Sequence, residues 1–91
     1  MLQFEWDPSK NDANVKKHGV TFKEAATVFG DPLSYTFDDP DNSDDEMRFL
    51  TFGLASTGKL LVVSHAERGG RVRIISAREL TKRERKFYEG G

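Results

Sequence analysis

Gly69-Gly70, set between the β-prone runs Lys59–Arg68 and Arg71–Arg78, constrains this chain more than any other feature. Paired glycines accept the positive φ angles of a two-residue hairpin loop, and the aliphatic flanks supply the two strands. With the glycines as the loop, Arg68 is expected to face Arg71, Glu67 Val72, His65 Ile74, Val63 Ser76 and Leu61 Arg78. Facing residues share one side of a sheet. One side then carries His65, Glu67, Ser76 and Arg78 among Val63, Val72 and Ile74. The other carries Leu60, Val62, Ala66, Ile75 and Ala77, small aliphatics suited to packing under a helix. Arg73 falls on this second side, away from Arg78, unless a bulge redirects it, because a one-residue slip exchanges the faces.

Local punctuation places the other elements. Leu2–Trp6 reads as a short strand, and Asp7-Pro8 as the N-cap and first residue of a helix running to about His18 and stopping at Gly19. Lys16, Lys17 and His18 fall in its last turn, where cations suit the helix dipole. Its apolar face is thin, Ala13 and Val15. A second helix is better specified: Thr21 and Glu24 have capping-box spacing, Phe22, Ala25, Ala26 and Phe29 recur at helical period, and Gly30-Asp31-Pro32 ends it. Leu33–Phe37 and Met47–Ala55 read as strands. A last helix opens at Thr81 with Glu84 completing a capping box and turns Leu80, Phe87 and Tyr88 inward. The order β-α-α-β-β-β-β-α predicts one α+β domain over residues 1–91, an antiparallel meander covered by helices.

Composition bounds the function. The net charge of −1 hides an asymmetry: residues 1–58 hold five Lys/Arg against eleven Asp/Glu, and residues 59–91 nine against four. That split points to a basic working surface. Asp38–Glu46 holds six acids in nine residues without EF-hand spacing, so a solvated loop is expected there. With no cysteine, disulfides and thiolate metal sites are excluded, and no pattern calls for a metal or cofactor. The longest aliphatic run, Leu60–Val63, is too short for a membrane span, and the first ten residues lack a leader pattern, so a cytoplasmic protein is expected.

The segments FEWDPSKNDANVKKHGVTFKEAATVFGDP, EMRFLTFG and RVRIISARELTKRERKFYE resemble, in the same order from Phe4 to Glu89, the BrnT family of bacterial toxins. KHGVTF (Lys17–Phe22) and RIISAR (Arg73–Arg78) are the most specific pieces. The loop Glu67–Arg71 is short for that pattern, and Leu80 stands where a small residue is expected. The resemblance implies a RelE-like fold and a ribonuclease toxin of a type II toxin–antitoxin system that stops translation. It also implies a BrnA-like antitoxin with a ribbon-helix-helix domain, a toxin–antitoxin hetero-oligomer, and operator DNA bound only through that complex.

Metal-free RNA cleavage needs a base for the 2′-hydroxyl, charge at the phosphorane and an acid for the leaving oxygen. On this reading His65 transfers a proton, and Glu67 orients it or is itself the base. Arg48, Arg73 and Arg78 hold the scissile phosphate, and Tyr88 stacks on a base or donates a proton. Lys17, His18, Arg68, Arg71, Ser76 and Arg83 bind the rest of the RNA. Two rivals stand beside it: a non-catalytic nucleic-acid- or antitoxin-binding module, and a gyrase-directed toxin on the same scaffold. Phe37, Met47 and Phe49 are the expected exposed apolar residues for a partner.

Overall fold

The computed structural model describes residues 2–43 and 46–90. Strands β1 (Phe4–Glu5), β2 (Tyr35–Asp38), β3 (Arg48–Leu54), β4 (Leu60–Arg68) and β5 (Arg71–Glu79) form one sheet in the order β1-β5-β4-β3-β2. The meander β2 to β5 is antiparallel, and Gly69 and Gly70 occupy the hairpin loop at φ 55° and 80°. β1 differs from the expected meander: it adds in parallel to β5, pairing Phe4 with Val72 and Glu5 with Arg73, which makes the sheet mixed. The chain can place it there because helix α1 (Pro8–His18) carries it back along the sheet between β1 and the next elements.

The helix caps follow the sequence. Asp7 accepts from the Ser9 N–H at 2.9 Å, Pro8 takes the first turn, and Gly19 ends α1 in the left-handed region. The side chain of Thr21 caps α2 (Phe22–Ala26), which tightens into a 3₁₀ turn, Thr27–Gly30, instead of continuing as a helix through Phe29. Thr81 and Glu84 form a reciprocal box at the start of α3 (Lys82–Gly90), with bonds of 2.9 and 3.2 Å. Of the acidic run, Asp38 closes β2 and Pro40–Asn42 make a short 3₁₀ turn, while the loop reading for Asp44 and Asp45 falls outside the described residues.

One face of the sheet carries the core. Leu61 and Val63 of β4 and Ile74 and Ala77 of β5 pack against Val20, Phe22, Ala25 and Val28 from the helical layer. Fully burying a side chain such as Phe22 contributes about 1.5–3 kcal/mol. Gly53 of β3 lets the 3₁₀ turn approach closely: a Cβ there would lie 2.8 Å from Val28 Cγ1. The buried residue of α1 is Asn14, whereas the expected Val15 is exposed. Asn14 Nδ2 donates to the carbonyls of Val20 and Ala77, and its Oδ1 accepts from the Ala77 N–H. It therefore serves as the strand partner that β5 lacks beyond β1. Leu80 is buried as expected, but Phe87 stands half-exposed. No helix among the described residues is long and apolar enough to cross a membrane.

Candidate nucleic-acid interface

The hairpin register holds from the loop to His65, which faces Ile74, and then shifts: Ser64 faces Ser76, Val63 Ala77 and Val62 Arg78. Ile75 is left without a cross-strand partner, a β-bulge that adds one residue to β5. Every side chain of β5 beyond it changes sides relative to a regular pairing. Ile74 and Ala77, three apart, both enter the core. Arg73 and Arg78, five apart, both stand on the opposite, open face, Arg73 beside Ala66 and Arg78 beside Val62. Arg48 joins them, since it also pairs with Ala66.

The expected grouping of His65 and Glu67 with Ser76 and Arg78 is therefore corrected. His65 lies on the core face, 7% exposed, edge-on to Phe29 at 4.9 Å and stacked with Phe49 at 5.7 Å. Its Nε2 bonds to Thr51 Oγ1 at 2.7 Å, and burial pushes its pKa down to about 4. The imidazole thus packs between the rings of Phe29 and Phe49. Glu67 is exposed near the turn on that same face, so it cannot orient an imidazole for work on the other side. Val62 and Ala66, expected in the core, line the open face, and Phe49, expected to be exposed, packs on His65.

The open face brings together what the helices and strands supply separately. Lys17 and His18, at the end of α1, meet Ser64, Ser76 and Arg78 around a cavity of about 300 Å³ floored by Leu50 and Val62. Asn14 fixes this juxtaposition, because it ties α1 to β5 at Ala77, one residue from Arg78. Lys17 is exposed and His18 half-buried. The row Arg48, Ala66, Arg73 lies next along the strands, and Arg68 and Arg71 extend it to the hairpin loop.

Carboxylates hold three of these guanidiniums. Arg78 makes a bidentate pair with Glu84 of α3 at 2.8 and 3.1 Å, Arg73 meets Glu5 at 2.9 Å, and Arg68 meets Glu46 at 3.0 and 3.1 Å. The hydrogen bonds from Arg78 hold the Glu84 pKa down to about 2, and Glu84 in turn raises that of Arg78. Tyr88 is drawn elsewhere. Its hydroxyl donates to Asp31, which raises its pKa to about 12, so it ties α3 to the loop after the 3₁₀ turn and is a poor proton donor. Burial opposes ionisation of Asp31, but bonds from Tyr88 and the N–H groups of Leu54 and Leu33 outweigh it and lower its pKa. Arg83 is exposed on α3 and does not line the cavity.

Sequence reasoning missed Asn14, Ser64 and Glu84 as parts of this arrangement. Asn14 gave no signal, because a polar residue in a polar helix reads as surface. Glu84 was legible only as a helix cap, a role it keeps while also holding Arg78.

The fold has a known counterpart. The crystal structure of the Brucella abortus ribonuclease toxin BrnT, at 1.1 Å resolution, matches with a TM-score of 0.68 at 19% identity, covering 90% of this chain and 100% of that one. At that identity the likeness is one of fold. No curated protein matches the chain in sequence. A family model described as the ribonuclease toxin, BrnT, of type II toxin–antitoxin systems matches residues 6–84. The chain belongs to the BrnT family of ribonuclease toxins of type II toxin–antitoxin systems.

Proposed function

We propose that the open face of the sheet cleaves single-stranded RNA by attack of a ribose 2′-oxygen on its adjacent phosphate, with side chains rather than a bound metal supplying the charge. The observation that carries this reading is the convergence of Lys17, His18, Ser64, Ser76 and Arg78 on one cavity. RNA brings its own nucleophile, which DNA lacks. His18 takes the 2′-proton or supplies the proton to the leaving oxygen, since imidazole is the side-chain type that exchanges protons near neutrality. The O2′–P bond forms, the P–O5′ bond breaks, and the products end in a 2′,3′-cyclic phosphate and a 5′-hydroxyl. Arg78 offers its planar fork to two phosphoryl oxygens, and Lys17 adds a compact charge. The carboxylate of Glu84 occupies that fork in the free protein, so phosphate enters by anion exchange. Arg73 and Arg48 hold neighbouring phosphates.

This assignment transfers the proton role from His65 to His18. Arg78→Ala and His18→Gln are each expected to slow cleavage of a labelled RNA in the presence of EDTA by about 10²–10³, the loss typical of a donor aimed at developing charge. Wild-type rates in both variants overturn the site. Loss of all cleavage in EDTA, restored by a divalent cation, overturns the metal-free step.

The antitoxin is proposed to be a ribbon-helix-helix protein that covers this cationic face, with operator DNA bound only by the complex. The family resemblance and the asymmetric charge support it. A complex that leaves Arg73 and Arg78 solvent-exposed contradicts it. Translation in the cytoplasm is the proposed target, so induced expression should halt protein synthesis before replication.

A further inference from the structure

The open face carries a second chemistry beside its cations. Tyr35 and Phe37 of β2, Phe52 of β3 and Phe87 of α3 form one aromatic cluster: Phe87 lies 5.8 Å from Tyr35 and 5.7 Å from Phe37, and Phe37 meets Phe52 at 5.8 Å. A cluster that served only to fasten α3 would be buried by it. Here Tyr35 is 40%, Phe37 41% and Phe87 50% exposed. The rings of Tyr35 and Phe37 stand within 24° of parallel.

Register fixes where this cluster lies relative to the cations. Phe37 pairs with Leu50, Leu50 with Ser64 and Ser64 with Ser76, so the ring and the cavity serine share one cross-strand row. Tyr35 pairs with Phe52, Phe52 with Val62 and Val62 with Arg78, which puts the second ring in the row of the phosphate-holding arginine. Each row spans three inter-strand spacings, about 14 Å. That is the reach of about four stacked nucleotides at 3.4 Å each, or fewer in an extended strand.

We infer that Tyr35, Phe37 and Phe87 are a stacking platform for unpaired bases that flank the phosphate held at Arg78, and that they make the surface selective for single-stranded nucleic acid. The inference rests on the phosphate-site reading above. Exposed rings continuous with a cationic track are the combination by which proteins hold single strands: cations follow the backbone and π-faces take any base. A protein partner would equally cover apolar rings, but Lys17, His18 and Arg78, gathered at the far end of these rows, favour a polyanion.

The test compares two polyanions on the intact protein: a single-stranded 2′-O-methyl oligoribonucleotide, whose 2′-oxygen cannot attack, and a linear polyphosphate, which has charge but no bases. The double variant Phe37→Leu/Phe87→Leu keeps apolar volume and removes two π-faces. Stacking predicts that it binds the oligonucleotide at least about tenfold more weakly, binds polyphosphate as before, and keeps its salt dependence. Phe87→Trp, which preserves a ring, should retain oligonucleotide affinity and show quenching of its indole on binding. Unchanged oligonucleotide affinity in the double leucine variant overturns the inference, as does an equal loss for both polyanions. A variant that loses antitoxin affinity alone makes the surface a protein-docking site and overturns it too. Failure of the phosphate-site reading looks different: Lys17→Ala/Arg78→Ala would then bind polyphosphate as tightly as the wild type.

Discussion

Replacing Asn14 with alanine tests how the cations of the site are held in place. The side chain makes three bonds, two at 2.9 Å from Nδ2 to the Val20 and Ala77 carbonyls and one at 3.0 Å from the Ala77 N–H to Oδ1. Alanine leaves those three backbone groups unpaired where the side chain was 6% exposed. A buried group left unpaired costs about 1–3 kcal/mol, and the net loss is nearer 1 where water can enter. α1 is a surface element, so the lower value applies to each group, for about 3 kcal/mol in all. A domain of this size stores about 5–14 kcal/mol, and its Tm moves about 4–8 °C per kcal/mol, which predicts a fall of about 12–24 °C. Urea unfolding followed by Trp6 fluorescence measures the free energy, and the m-value should stay constant because the folded surface is the same. Function should fall with it. Lys17 and His18 lie three and four residues further along α1, on the side that Asn14 anchors, so RNA affinity per folded molecule should drop. A loss below about 1 kcal/mol together with unchanged RNA affinity refutes both the energetic argument and the strut.

Three further substitutions separate packing from chemistry. His65 has its pKa near 4 in the folded chain against about 6.5 when unfolded, so the unfolded state binds more protons between those values. Stability is then full above pH 6.5 and declines as pH falls towards 4, by up to about 3 kcal/mol; His65→Gln should flatten that decline in acid melts while leaving the pH profile of cleavage unchanged. Glu84→Gln keeps the helix cap but removes the negative charge that faces Arg78, so it should cost at most about 1 kcal/mol and tighten RNA binding several-fold by fluorescence anisotropy; weaker binding would contradict the anion-exchange step. Gly53→Ala places a methyl 2.8 Å from Val28 Cγ1 and 3.1 Å from Asp31 Oδ2, and overpacking of this kind should lower stability by about 1–3 kcal/mol in thermal melts.

Local signals carried most of the fold. The Gly69-Gly70 loop, the caps at Asp7, Thr21 and Thr81, and the stop at Gly19 each act over four residues or fewer, so the chain states them directly. The pairing inferred from the loop also holds for four residue pairs, from Arg68 with Arg71 to His65 with Ile74. What could not be read locally was whatever depends on a distant neighbour. β1 joins β5 in parallel because the hairpin edge was open to it, and Asn14 is buried because Ala77, 63 residues away, needed partners. His65 looked like a site residue because regular pairing puts it on one face with Ser76 and Arg78, which the register shift turns to the other.

The bulge at Ile75 resolves a conflict that strict alternation cannot. Continued from the loop, regular pairing would turn Ser76 and Arg78 towards the core and expel Ala77, burying a guanidinium under the helices at a cost of several kcal/mol. It would also place Arg73 and Arg78 on opposite faces, since five residues is an odd separation. One unpaired residue makes that separation even: Ile74 and Ala77 both enter the core, and both arginines reach the open face. In RIISAR the inserted residue is Ile75, which stays half-buried while Ile74 keeps its place in the core. RIISAR is thus the segment in which packing and cation placement disagree about register, and the extra residue lets both be satisfied.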